Sequence, residues 1–132
     1  MRAVCLDTSA YGRAMRGEAA ARDVVQTADR LLMCPIVIGE LLAGFRRGTK
    51  EKRNRAVLDE FLDSNRVERV ALTDETAEHY AAVLDGLRAQ GTPIPTNDIW
   101  IAACAMENGA HVASADEHFR HVRGLVLHML ES

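Results

Sequence analysis

Strand-length apolar segments alternate with helix-length segments from one end of this 132-residue chain to the other. That alternation constrains the fold more than any other feature, because it selects an α/β domain with a mostly parallel sheet. Arg2 to Leu6, Leu31 to Met33, Val67 to Leu72, His111 to Ser114 and Leu125 to Leu127 read as strands, about five in all. Thr8 and Ser9 read as a turn and helix N-cap, and Glu18 to Ala28 carries helical periodicity. Pro35 suits the first turn of a helix that runs to Gly48. Lys50 to Asn65 is amphipathic, with Val57, Leu58, Phe61 and Leu62 as its apolar face. Thr73 to Gln90 opens on a capping-box pattern and closes at Gly91, and Thr96 or Asn97 caps a last helix that ends at Gly109. In such a sheet the carboxyl ends of the strands share one edge, and the crossover helices start there.

The length suits a single domain spanning residues 1–132. With 48% hydrophobic and 27% charged residues, the composition excludes disorder. No apolar run approaches the roughly 20 residues of a membrane span, and the first one stops at Asp7, so a cytoplasmic protein is expected. Three cysteines without paired spacing argue against a disulfide framework. The net charge of −3 argues, at first sight, against a nucleic-acid partner.

Four of the 19 acidic residues are out of place. Asp7 ends the first strand, and Asp116 follows the fourth in Ser114-Ala-Asp-Glu-His118. Glu40 lies inside Ile36-Val-Ile-Gly-Glu-Leu-Leu-Ala-Gly-Phe45, a helix apolar nearly all round, where a lone carboxylate is costly unless it is paired, reaches water or binds a cation. Asp98 opens another apolar helix, Asp98-Ile-Trp-Ile-Ala-Ala-Cys-Ala-Met106. Each acid alone also reads as a turn or cap residue. The topology, however, expects all four on one edge of one sheet. Four carboxylates so placed cannot all ionise without a compensating cation. Oxygen-only ligation suits magnesium or manganese, and such ions activate water for in-line phosphodiester displacement. The physics suggests a metal-dependent phosphoryl-transfer site, most simply a nuclease.

The same segments carry a resemblance. Leu6-Asp7-Thr8-Ser9, Ile38-Gly39-Glu40-Leu41 continuing to Gly44, Asn97-Asp98-Ile99-Trp100-Ile101-Ala102-Ala103 and Ser114-Ala115-Asp116-Glu117-His118-Phe119, in that order and spacing, resemble a PIN domain of the VapC-type toxins of bacterial toxin–antitoxin pairs. No single motif is specific; the four together are. The resemblance covers essentially the whole chain. It implies a three-layer α/β/α fold and a Mg2+- or Mn2+-dependent endoribonuclease acting on RNA. It carries the metal-binding and catalytic roles onto Asp7, Glu40, Asp98 and Asp116, and supporting hydroxyl roles onto Ser114 and, beside Asp7, Thr8. It also implies a homodimer and a small VapB-type antitoxin. Arg13, Arg16, Arg46 and Arg47 border two of the acidic segments and are candidates for holding the RNA backbone, with solvated surface charge as the alternative.

Other patterns carry less. Gly12-Arg-Ala-Met-Arg-Gly17 has P-loop glycine spacing but continues into Glu18-Ala19, where a lysine and a hydroxyl are needed. His111, His118, His121 and His128 lack a completing set of zinc ligands and read as surface histidines. Cys5, Cys34 and Cys104, with Phe45 and Phe119, read as core, and Trp100 as helix packing or a subunit contact, ahead of stacking on a base. A haloacid-dehalogenase-type phosphatase wants Asp at position 9, which is Ser, and a receiver domain wants a late lysine, whereas the two lysines are Lys50 and Lys52. A PIN-type RNA-processing nuclease outside any toxin pair, and a silent RNA-binding scaffold, are the remaining alternatives. Setting the four site acids aside leaves 16 bases against 15 acids, so the negative balance does not oppose RNA binding.

Overall fold

β1 (Ala3–Leu6) is a run of four apolar residues, three of them fully buried, as expected for a strand covered on both faces. A computed structural model describes residues 2–131, and in it five strands form one sheet in the order β3-β2-β1-β4-β5. The other strands are β2 (Arg30–Met33), β3 (Val67–Arg69), β4 (His111–Ser114) and β5 (Leu127–Met129). Every pairing is parallel. The helices are α1 (Thr8–Met15), α2 (Ala19–Thr27), α3 (Pro35–Arg47), α4 (Glu51–Leu62), α5 (Asp74–Gln90) and α6 (Thr96–Glu107), with a 3-10 turn at Glu117–His121. Helices and sheet stack as three α/β/α layers. No helix among the described residues is long and apolar enough to cross a membrane.

The strand order reverses between β1 and its two neighbours. The chain goes from β1 outward to β2 and β3, then returns to place β4 on the other side of β1. This switch point is where parallel sheets open a crevice at their carboxyl edge. Leu6 pairs with Ala113, and the Asp7 N–H donates to the Ala113 carbonyl at 3.2 Å, so β1 and β4 leave the sheet side by side.

Several local features differ from the sequence expectation. Asp7, not Thr8 or Ser9, is the N-cap of α1, and its carboxylate accepts the Ala10 N–H. Pro95 precedes α6, so Thr96 and Asn97 lie within its first turn rather than capping it. β3 ends at Arg69, and β5 lies two residues later than expected because its register is set by β4, with Ala113 opposite His128. Val57 is exposed, so the buried face of α4 rests on Leu58 and Leu62. The α5 capping box is present, with Thr73 and Thr76 bonded reciprocally and Gly91 left-handed at φ 71°.

The core runs along the sheet. Val4, Leu32, Met33, Val112 and Ala113 are completely inaccessible, as are Ala102 to Ala105 of α6. Cys5, Cys34, Cys104 and Phe119 belong to this interior, as expected, while Phe45 packs against it half-buried. Trp100 packs its ring against Tyr80 of α5 at 4.3 Å, the helix-packing alternative.

Candidate metal centre

Asp7 is the most constrained acid in the molecule. It is 5% exposed, and both carboxylate oxygens are engaged. One accepts the Ala10 N–H at 2.8 Å and the Ser9 hydroxyl at 2.7 Å, and the other accepts the Ser114 hydroxyl at 2.5 Å. Ser114, fully buried at the end of β4, also accepts the Asp116 N–H at 2.8 Å, and Ser9 accepts the Ala115 N–H at 3.0 Å. The first and fourth acidic segments are thus stitched together across β1 and β4 by two serine hydroxyls. Burial raises the Asp7 carboxyl above its ordinary value, the three hydrogen bonds pull it back down, and the Asp116 charge adds to the rise.

Asp98 enters from the first turn of α6, where a negative side chain complements the helix dipole. Burial, reinforced by the charges of Asp116 and Asp7, pushes its carboxyl up to about 6 against the opposing hydrogen bond and charge of His118. Asp116 begins the 3-10 turn and caps it by accepting the His118 N–H. Asp7, Asp98 and Asp116 therefore feel one another's charge.

Glu40 is held beside them. Its carboxylate accepts the Thr8 hydroxyl at 2.5 Å and the Asn97 amide at 3.1 Å. Those partners are the residues next to Asp7 and Asp98, so Glu40 is tied to the same edge from both sides. It is not the trapped acid the sequence suggests: α3 buries only Val37 and Leu41 completely, and Gly39, Ala43 and Gly44 face outward. Glu40 borders an open groove lined by Ile36, Gly39, Ala43 and Asn97.

The hydroxyls are distributed differently from expectation. Ser9, not Thr8, supports Asp7, while Thr8 serves Glu40. A helix turns about 100° per residue, so successive hydroxyls at the start of α1 face different acids. Ser9 and Asn97 join the site without being singled out by sequence reasoning, although both lie within the motif segments. His118 is exposed, as the sequence suggests, but it also meets the acids: its Nδ1 sits 3.1 Å from Asp98 Oδ2 and 2.9 Å from Asp116 Oδ1. His111 and His128 bond each other at 2.8 Å, on β4 and β5.

The four arginines lie farther out. Arg13 and Arg16 both pair with Glu18, at 3.4 Å and 3.2 Å, near the far end of α1. Arg46 lies 3.6 Å from Glu51, and Arg47 is exposed at the end of α3, two turns beyond Glu40 on the same face.

The donor chemistry fits a divalent cation. Two of the clustered carboxylates have their acidity weakened by burial and by each other, which a positive ion would reverse. Donor atoms of Asp98, Asp116 and His118 lie within 4.8 Å of one another. Oxygen-rich sets of this kind suit hard divalent ions that also share coordination with phosphate.

Fold and site together define a class: α/β proteins that gather carboxylates for a divalent cation at the switch point of a parallel sheet. The PIN domain family model matches residues 4–125, and the chain belongs to that family. It is 31% identical over 121 residues to the plasmid stability protein StbB of Pseudomonas syringae pv. tomato, covering 86% of this chain and 87% of that one. It is 32% identical over 89 residues to ribonuclease VapC2 of Haemophilus influenzae, covering 67% of this chain. The chain spans 65 to 66% of the length of the VapC ribonuclease relatives it matches. In fold it is similar to VapBC2 from Rickettsia felis, solved bound to a DNA fragment from their promoter, with a TM-score of 0.84 at 21% identity and coverage of 98% and 99% of the two chains. It is also similar to VapBC-5 of Mycobacterium tuberculosis, described as a member of the VapBC family of toxin–antitoxin systems, with a TM-score of 0.76 at 24% identity and full coverage of both chains.

Proposed function

We propose that this chain is a divalent-metal-dependent endoribonuclease that hydrolyses RNA phosphodiester bonds, and that it is the toxin of a VapBC-type pair. The observation that carries the reading is the convergence of Asp7, Asp98 and Asp116 from three separate elements at one end of the sheet, with Glu40 tied beside them. Membership of the PIN family and the names of its ribonuclease relatives support it. The metal is Mg2+ or Mn2+, the compartment the cytoplasm, the assembly a homodimer, and the partner a small VapB-type antitoxin.

Asp7, Asp98 and Asp116 would hold the ion. When bound, it supplies Lewis-acid polarisation of a phosphoryl oxygen and a more acidic water. Ser9 and Ser114 favour the ionised form of the Asp7 carboxylate against its burial and fix its plane. Thr8 and Asn97 hold Glu40 beside the cluster, where its carboxylate would position a water or a second ion. Arg47, exposed at the end of α3, would take the RNA backbone beyond Glu40, and Arg46 would do so on leaving Glu51. Arg13 and Arg16 would first have to leave Glu18 to do so.

The test is cleavage of total RNA by purified protein with Mg2+ or Mn2+, beside Asp7→Asn and Asp98→Asn. Cleavage by the parent alone is expected. No cleavage, or equal cleavage by the variants, overturns the reading. Co-expression with the product of the neighbouring reading frame tests the toxin role: loss of cleavage and co-purification are expected, and continued cleavage would leave a nuclease outside any toxin pair.

A further inference from the structure

His118 stands among the acids without a role in the mechanism above. Its imidazole Nδ1 faces two carboxylate oxygens at once, Asp116 Oδ1 at 2.9 Å and Asp98 Oδ2 at 3.1 Å. One Nδ1–H cannot donate a full-strength hydrogen bond to both, whereas a cation seated among the three atoms satisfies all of them. The spacing agrees. An octahedral divalent ion with ligands at about 2.1 Å places adjacent donor atoms about 3 Å apart. The imidazole is also fixed in place. His118 lies in the 3-10 turn that Asp116 caps, and its backbone N–H is bonded to that same Asp116 oxygen at 2.9 Å. Phe119, buried beside it, anchors the turn in the core.

We infer that His118 Nδ1 is a direct ligand of the metal together with Asp98 and Asp116, and that this nitrogen biases the site toward a first-row transition ion such as Mn2+ over Mg2+. The inference rests on the metal-dependent reading above and deepens it. A hard ion such as Mg2+ gains little from imidazole, whereas nitrogen donors raise affinity along the transition series. The Nε2 edge stays free to carry the ring proton, the tautomer a metal-bound Nδ1 requires. His118 has a side chain 47% exposed, so its replacement leaves the core intact.

The test uses the full chain loaded with one equivalent of Mn2+. Pulsed electron paramagnetic resonance should show modulation from a directly bound nitrogen, absent in His118→Ala and retained in His121→Ala, a nearby exposed histidine outside the cluster. By calorimetry, His118→Ala should weaken Mn2+ binding about 10-fold or more while changing Mg2+ binding less than about 3-fold. Bound Mn2+ with no nitrogen signal, a signal that persists in His118→Ala, or equal losses for both ions overturns the inference. In those cases the acidic site stands if Asp98→Asn still abolishes binding. No Mn2+ binding to the parent chain, or undiminished binding to Asp98→Asn, overturns the carboxylate site itself, and the His118 inference falls with it.

Discussion

The two ends of the sheet are built on opposite electrostatic plans. At the amino end, polar groups are paired with donors and acceptors of the neighbouring segments. The Arg2 N–H donates to Asp29 and its guanidinium to Thr27, Arg66 donates to the Ala28 carbonyl at 2.6 Å, and Arg30 pairs with Glu68 across β2 and β3. At the carboxyl end, carboxylates are pressed against carboxylates, and His118 is the basic group that meets them. The first plan ties strands and loops together. The second spends stability to keep a place for a cation, which is how functional sites differ from the scaffold that carries them.

The largest separation between the ends should appear in activity. Asp7→Asn or Asp98→Asn should cut RNA cleavage by more than about 100-fold, since loss even of an outer partner of a metal typically costs 10–100-fold. Gel assays with either ion measure this. Arg30→Ala, at the other end, should leave cleavage unchanged; a loss there would break the division of labour.

Ser114→Ala should affect both activity and stability. It strips Asp7 of a donor and leaves the Asp116 N–H without its acceptor, costing about 1–3 kcal/mol in urea denaturation. Cleavage should fall roughly 10–100-fold, as expected for a residue that orients a ligand.

The acidic end should also respond to pH in a way the amino end does not. With Asp98 at about 6 in the folded chain and near 3.9 when unfolded, the folded state binds the extra proton between those values. Stability contributed by this site is therefore present below about pH 4 and lost as pH rises toward 6, and Asp7 shifts in the same direction. The loss is roughly 1–3 kcal/mol in the metal-free protein at pH 7.5. Added Mn2+ should restore it at about pH 7.5 and do little at about pH 4.5, and Asp98→Asn should flatten the profile. Thermal melts with and without chelator measure all three; a metal-independent profile would contradict the carboxylate site.

The smallest effect belongs to the amino end. Arg30 and Glu68 are about half exposed, so Arg30→Ala should lower stability only slightly, and less still in high salt. Urea denaturation at two salt concentrations measures it.

Sequence patterning reaches the parts of the molecule that depend on local signals. An apolar run that stops at Asp marks a strand end wherever it lies, so Asp7, Asp116 and the parallel topology are readable from the residues themselves. The start of α1 is harder, because Thr8-Ser9-Ala10-Tyr11-Gly12 has mixed helix preference, and the residue that caps it, Asp7, belongs to the acidic cluster with the same carboxylate. The position of β5 depends on pairing with β4, a partner that local periodicity does not contain. The same holds for His118. Its contact with Asp98 crosses 20 residues and depends on the pitch of a single 3-10 turn. Which of Thr8 and Ser9 serves which acid is a matter of helix rotation, not of composition.

The hydrogen bond from Ser114 to Asp7 joins residues 107 positions apart in a chain of 132. During synthesis the amino-terminal residues emerge first, and pairing between distant strands is the slow part of folding. A nascent chain already exposes Asp7 and Glu40 but lacks the strand that orients the first and the helix that anchors the second. The four acids therefore cannot come together gradually on the ribosome. On the proposed reading the site assembles only once α6 and β4 have been made, and a truncated product that lacks β4 would not cut RNA.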